Sequence, residues 1–561
     1  MGGFFRQKRN LLGLGMALAL LCAFAAQCVW FARANGQTYD EGITLASGVW
    51  LLEGNHDGLN AEHPPVSKLL AALPVKIFTE ARVDFESWRT SGESPFGLGR
   101  TFLYGGQTGH ERLLALGRLP SIVLSMFTVL LIGVWSYRLW GGRAALLALG
   151  LAAFDSNLIA YGSLIGHDGV LTSFSTLALF SLSELIKGGS IRWLVLAGVA
   201  SGLALGSKYS ATYIVLVACV ALVAAAFCET STPPKVAPGD RNPVLIRCVH
   251  AAVLVAIALV VIRVVYYPAS YPSYLAGLRA QWGHQSHGHP AFLLGEISRS
   301  GWLGYFPIAL ATKEPPLTLL LVLASLVFAR RGSALGKAWV TVAVPAGLLF
   351  LGLLAIRVNI GVRYALPVIP LLIVLASRVA TFSLPRWTIG ALALGLAHHA
   401  TAAVRVAPHH IAFFSDLVGG PKQGHRILAD SNLDWGQAIQ ALGQWLAVQG
   451  PPRHLYLSYF GTALPQAYGV HYRPALSSCA HLAPWDASDD VTGPSTGRDL
   501  LAISEMNLQG VFFREPNPYA WLATRTPIAI LGHSIRVYDI SNDEQAQREV
   551  TTLIRRLGLE P

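Results

Sequence analysis

Charge is scarce in this chain. Of its 561 residues only 13% are Asp, Glu, Lys or Arg, whereas 53% are hydrophobic and the mean hydropathy is +0.47. That is too little charge to cover a soluble globule of this size, and the composition predicts a multispanning membrane protein. Cysteine is nearly as sparse. Cys22, Cys28, Cys219, Cys228 and Cys248 lie in or beside apolar runs, which leaves Cys479 alone in the hydrophilic tail. An intradomain disulfide there is excluded, and no paired cysteine spacing points to zinc. The tail also lacks a glycine loop that could cradle phosphate and a nucleophile elbow, so it is not assigned catalysis; Gly419-Gly420-Pro421 reads as a turn. No internal repeat is evident, which weakens an inverted-repeat transporter.

What the chain does have is apolar runs of about 20 residues, enough to span a bilayer. Eleven can be placed, near 11–31, 119–137, 144–160, 169–186, 191–206, 210–228, 247–266, 315–329, 338–356, 364–381 and 388–404. The first follows Arg6, Lys8 and Arg9 as a signal peptide would, but Gln27-Cys28-Val29-Trp30 is a poor cleavage site, so it is read as an uncleaved helix. With the N-terminus in the cytoplasm, alternation puts basic residues in every cytoplasmic loop. The net charge of +11 is therefore a topology signal and not a nucleic-acid stripe. The same alternation places 32–118, 161–168, 267–314, 357–363 and 405–561 outside the inner membrane.

The expected fold is a polytopic α-helical membrane protein over residues 1–405, with a small extracytoplasmic α/β domain at 406–561. Pro64, Pro65 and Pro74 make the loop 32–118 a set of short interfacial helices, and the Pro-, Ser- and Thr-rich stretch 229–243 reads as a flexible cytoplasmic connector. In the tail, strands are expected at 426–429, 454–459, 500–504 and 528–538, with a helix at 435–448.

The unusual polar residues all fall on the expected outer face. Asp40-Glu41 follows the first span, where a carboxylate can serve as general base while its neighbour orients or holds a partner. In Glu62-His63-Pro64-Pro65-Val66-Ser67-Lys68 two prolines stiffen the elbow that carries His63 and Lys68, and a cation there can meet a phosphate at headgroup level. His167 and Asp168 open the fourth span. Asp168 is either a charge favoured at a helix N-terminus or a second carboxylate that positions an acceptor or binds a divalent cation. Lys208, at another outer end, anchors at the interface or joins them.

Further cations and imidazoles follow: His284, His287, His289, Lys313, Arg357 and Arg363. Guanidinium takes phosphate bidentately and imidazole donates or transfers protons. The three histidines are a phosphate or sugar contact, a metal set, or a solvated loop. In the tail Asp430, Asp434 and Trp435 sit at a strand-to-helix junction, as cap and core or as an acceptor site with Tyr459 and Phe460 as platforms.

Tyr39-Asp40-Glu41, Glu62-His63-Pro64-Pro65-Val66-Ser67-Lys68, Gly166-His167-Asp168 and Gly206-Ser207-Lys208-Tyr209, in that order, resemble the motifs of GT-C glycosyltransferases of the protein O-mannosyltransferase type and their bacterial aminoarabinose-transferase relatives. Lys313-Glu314-Pro315-Pro316, Asn359-Ile360-Gly361-Val362-Arg363-Tyr364 and Asp430-Ser431-Asn432-Leu433-Asp434-Trp435 extend the likeness along the chain. The resemblance implies inverting transfer of a monosaccharide, a hexose such as mannose, from a polyprenyl-phosphate carrier on the outer side. It implies Asp40 as base, Glu41 beside it, Lys68 as carrier-phosphate ligand and Asp168 as second acidic site. The acceptor, whether protein, lipid or glycan, and any divalent metal stay open. A transporter or flippase with ion-carrying carboxylates is the rival reading, and a non-catalytic scaffold the weaker one.

Overall fold

A computed structural model describes residues 2–55, 59–91, 93–230, 242–267, 271–328, 339–478, 496–513 and 516–558. It opens with α1 (Gly2–Ala34), then four short helices, α2 (Glu41–Leu52), α3 (Val66–Phe78), α4 (Phe85–Ser91) and α5 (Pro95–Tyr104). Prolines set this pattern: Pro65 precedes the first turn of α3 and Pro95 starts α5, where a missing N–H costs nothing. The long apolar series follows as α6 (His110–Trp140), α7 (Gly142–Ala153), α8 (Ser156–Gly162), α9 (His167–Ile186), α10 (Ile191–Leu205), α11 (Ala211–Thr230) and α12 (Pro243–Val265). After α13 (Tyr271–His287) and a hairpin come α14 (Tyr305–Lys313), α15 (Pro316–Val327) and helices through Arg386–Val406.

The described residues of the eleven expected spans are largely helical, but fewer of these helices are long enough to count as spans. Six helices among the described residues are long and apolar enough to cross a membrane, or eight if two bent pairs each count once. The bent pairs are α7 with α8 (61°) and α14 with α15 (112°). Ile191–Leu205, Ala211–Phe227 and Val340–Leu354 are apolar but shorter. Hydropathy reads composition over a window and does not see where a helix stops; Asp155 and Pro315-Pro316 are the local breakers. The expected connector at 229–243 falls largely outside the described residues.

The tail holds a five-stranded mixed sheet in the order β4-β3-β5-β7-β6, from β3 (His454–Ser458), β4 (Arg473–Pro474), β5 (Asp499–Ser504), β6 (Ala529–Leu531) and β7 (Ile535–Asp539). Alternation along β5 sends Leu500 and Ala502 to one face, packed with Ile439, Leu442 and Leu446 of the helix Ile439–Gln449. Leu501 and Ile503 face Val550, Leu553 and Ile554 of the helix Glu544–Arg555. The strand expected at 426–429 is a single bridge, Leu293 with Leu428. It pairs with the hairpin of β1 (Ala291–Leu293) and β2 (Glu296–Ser298), whose turn residues Leu294 and Gly295 both have positive φ.

The tail is bonded to the loop before α2. Gly36 N donates to Gln437 O (2.9 Å), Tyr39 N to Trp435 O (2.9 Å), and Thr462 Oγ1 to Tyr39 O (2.7 Å). Both halves of the chain therefore fix the segment that delivers Asp40.

Candidate active site

Asp40 sits at the N-terminal end of α2 but makes no capping hydrogen bond with its side chain. Its Oδ2 lies 3.4 Å from the Arg363 guanidinium, which also stands 3.7 Å from Asp168 Oδ2 and 4.4 Å over the Trp435 ring. Lys208 Nζ bonds Asp168 Oδ1 at 2.6 Å and lies 4.2 Å over the Tyr364 ring. Two carboxylates and two cations thus alternate around one cavity of about 390 Å³. His63, His167, His284, His289, Asp430 and Trp435 also line it.

Burial pushes the Asp40 carboxyl above its ordinary pKa, Arg363 opposes that, and the like charges of Asp430 and Asp168 add to it. Asp430 is itself raised to about 6, by burial. A raised carboxylate holds a proton more tightly, which is what a general base needs. Asp430 reaches the cavity from a backbone at φ 58°, a left-handed conformation that Asp tolerates better than most residues. Glu62 and His284, 3.7 Å apart, shift each other toward the charged forms, Glu62 down and His284 up.

Behind Asp40, Glu41 is fully buried and does not reach the cavity. Arg118 Nε and Nη2 hold it at 2.8 and 2.6 Å, and Thr38 N and Ile165 N donate to it as well. Arg118 also donates to Ala32 O, Asn35 O and Gly36 O. This pair therefore ties the loop before Asp40 to the loop before Asp168. Sequence reasoning passed over Arg118; an arginine inside an apolar helix was the signal, because a charge there needs a partner.

The expected residues divide. Asp40, His63, His167, Asp168, His289, Arg363 and Trp435 line the cavity. Lys68 does not: its ammonium donates to Asn60 O (2.5 Å) and His63 O (2.8 Å), and burial lowers its pKa to about 7. Lys313 is buried with its ammonium on Ile411 O and Asn432 O, both 2.6 Å away. Asp434 is buried, accepting from Met506 N and Gly436 N, and is raised to about 8 by burial. His287 is exposed and turns back to Gly283 O at 2.7 Å. As for the metal reading of the three histidines, no group of three or more His, Cys, Asp or Glu is placed to hold an ion among the described residues. Asp430, Tyr39, Phe96, Phe460, Ser478 and Phe512 complete the wall from loops and tail.

A second, larger space of about 700 Å³ adjoins the cavity and shares Glu62, His63, Lys208, Gln281 and Tyr364 with it. Its other walls are mainly apolar, including Leu171, Ile214, Leu216, Trp282, Leu349 and Leu353.

Residues 113–237 match the family described as dolichyl-phosphate-mannose-protein mannosyltransferase. That match spans less than half of the chain. The fold of this protein resembles that of ArnT from Cupriavidus metallidurans, solved bound to undecaprenyl phosphate: TM-score 0.51, 14% identity, 96% of this chain and 98% of that one covered. The oligosaccharyltransferase of Archaeoglobus fulgidus is a more distant likeness, with TM-score 0.43, 12% identity and coverage of 88% of this chain and 69% of that one. No curated protein matches the sequence.

Proposed function

We propose that this protein is a glycosyltransferase that moves a monosaccharide, a hexose such as mannose, from a polyprenyl-phosphate carrier to an acceptor nucleophile on the extracytoplasmic side of the membrane. One observation carries the donor reading: an apolar groove opens onto a polar cavity through Lys208, His63 and Tyr364. A ligand with a long isoprenoid and a charged head fits that pairing of apolar and cationic surface, whereas a free nucleotide sugar has no use for the groove.

In this reading the isoprenoid lies along Leu171, Ile214 and Leu353 and the phosphate meets Lys208 and Arg363, with His63 able to donate a hydrogen bond. Asp40 takes the proton of the acceptor as its oxygen or nitrogen attacks the anomeric carbon. The carbon–phosphate oxygen bond breaks on the opposite side, the configuration inverts, and the carrier phosphate leaves with its electron pair held by the cations. Arg363, beside both Asp40 and Asp168, keeps the base oriented before the acceptor arrives.

The test is purified protein in lipid with radiolabelled polyprenyl-phosphate hexose and native membrane extract as acceptor. Label should pass to an acceptor, identified by mass spectrometry, and should not pass when a nucleotide sugar replaces the lipid donor. Absence of both binding and turnover across hexose and pentose lipid donors would contradict the proposal and make ion-coupled transport the next assay.

A further inference from the structure

Two of the apolar helices break in the interior, and each break carries a carboxyl group. Asp155 lies between α7 and α8, Glu314 between α14 and α15, and both are fully buried. Their side chains are within hydrogen-bonding reach of each other. Asp155 Oδ1 accepts from Leu158 N (2.9 Å), and Glu314 Oε1 from Asn157 Nδ2 (2.8 Å). Among the described residues no group donates a hydrogen bond to Asp155 Oδ2, Glu314 Oε2 or Asn157 Oδ1, although Asn157 is only 1% exposed.

Three buried oxygens with nothing positive between them are not a stable arrangement. Two carboxylates in contact cannot both stay charged in a dry interior, and unpaired buried acceptors are costly. Counter-charge is short. The Lys313 ammonium is committed to Ile411 O and Asn432 O. The elements packed on α8 bring Arg118, His167, Asp168, Arg363 and His410. The first is spent on Glu41, the next three face the cavity, and His410 points Nδ1 at Ser156 Oγ (3.2 Å). His399, from the helix Arg386–Val406, turns Nε2 to Leu151 O.

We propose that Asp155 and Glu314 hold one monovalent cation, a proton or a sodium ion, between the two helix breaks. Two carboxyl groups in contact need only one shared positive charge to relieve their repulsion, which a monovalent cation supplies. The cation also bears on the active cavity. Lys313, next to Glu314, holds Asn432 O; Asn432 Oδ1 accepts from Val362 N (2.8 Å), the neighbour of Arg363. Without the cation, repulsion at the breaks is transmitted along this chain of bonds to Arg363.

Infrared spectroscopy of the full-length protein in lipid tests this without relying on transfer activity. In sodium-free buffer near neutral pH, wild type should show a protonated carboxyl C=O band, shifted in D₂O, that is missing from Glu314→Gln and from Asp155→Asn. If sodium at constant ionic strength removes the band and raises the melting temperature, the site takes sodium; if the band persists, it holds a proton. Melting temperature should fall at alkaline pH in wild type, as a shared proton leaves, and fall much less in Glu314→Gln. A band unchanged in both variants overturns the proposal. So does a wild type with neither a band in sodium-free buffer nor any sodium-dependent stabilisation.

Discussion

Asp40 and Glu41 are adjacent and chemically alike, yet the fold gives them opposite environments, one at a cavity wall beside Arg363 and one sealed against Arg118. As the proposed base, Asp40 must be ionised to accept a proton, so with its pKa raised kcat/KM should fall as the pH drops, with the acid limb above the ordinary carboxylate value of about 4. Asp430→Asn removes a like charge that raises Asp40, so that limb should move to lower pH, as read in a pH–rate profile. Glu41→Gln leaves the Arg118 guanidinium buried with half its partner gone; about 3–5 kcal/mol of stability should be lost, seen as a lowered melting temperature. Replacing both residues with apolar groups of similar volume should recover part of that loss. The sequence showed Asp40, Asp168, His63 and Arg363 because a charged or imidazole side chain at a helix end is visible as a pattern. It did not show that the ammonium groups of Lys68 and Lys313 turn onto backbone carbonyls, since residue type carries no direction.

The elements were legible where periodicity is long and illegible where geometry is local. Apolar runs gave eleven largely helical segments, and the strands at 454–458 and 499–504 fell where alternation put them. The breaks at Asp155 and Glu314 come from local breakers and the hairpin at 291–298 depends on tertiary partners, neither of which a window average contains. Close helix packing is another such case. A Cβ at Gly48 in α2 would lie 2.1 Å from Lys68 O in α3, and backbone has little room to give. Gly48→Ala should force α2 and α3 apart and lower stability by about 1–3 kcal/mol in a thermal or denaturant titration. α13 meets Tyr209 in a similar way at Gly277, where a Cβ would stand 1.8 Å from the phenolic oxygen. Since Gln281, Trp282 and His284 of α13 wall the groove and the cavity, Gly277→Ala should raise the KM for lipid donor more than it lowers kcat.

At the scale of the whole molecule, the site belongs to neither half of the chain. The membrane helices supply Asp168 and Arg363, the turn between α10 and α11 Lys208, the short-helix region Asp40 and His63, and the tail Asp430, Trp435 and Phe460. The sequence left catalysis out of the tail because no motif there bears it, and offered Asp434 and Trp435 only as an acceptor site or as cap and core; the pairing of Tyr39 with Trp435 is what brings the tail to the cavity. Thr462→Val removes bonds to Tyr39 O and from Gln37 Nε2; it should lower stability by about 1–2 kcal/mol and slow transfer even though Thr462 lies outside the cavity. The central claim is that Asp40 is the base of a lipid-donor transfer, and single-turnover transfer measured beside donor binding in wild type and Asp40→Asn tests it most directly. Loss of the base should slow transfer by roughly 100-fold or more while donor affinity stays within a few-fold. Transfer at the wild-type rate in Asp40→Asn would contradict it.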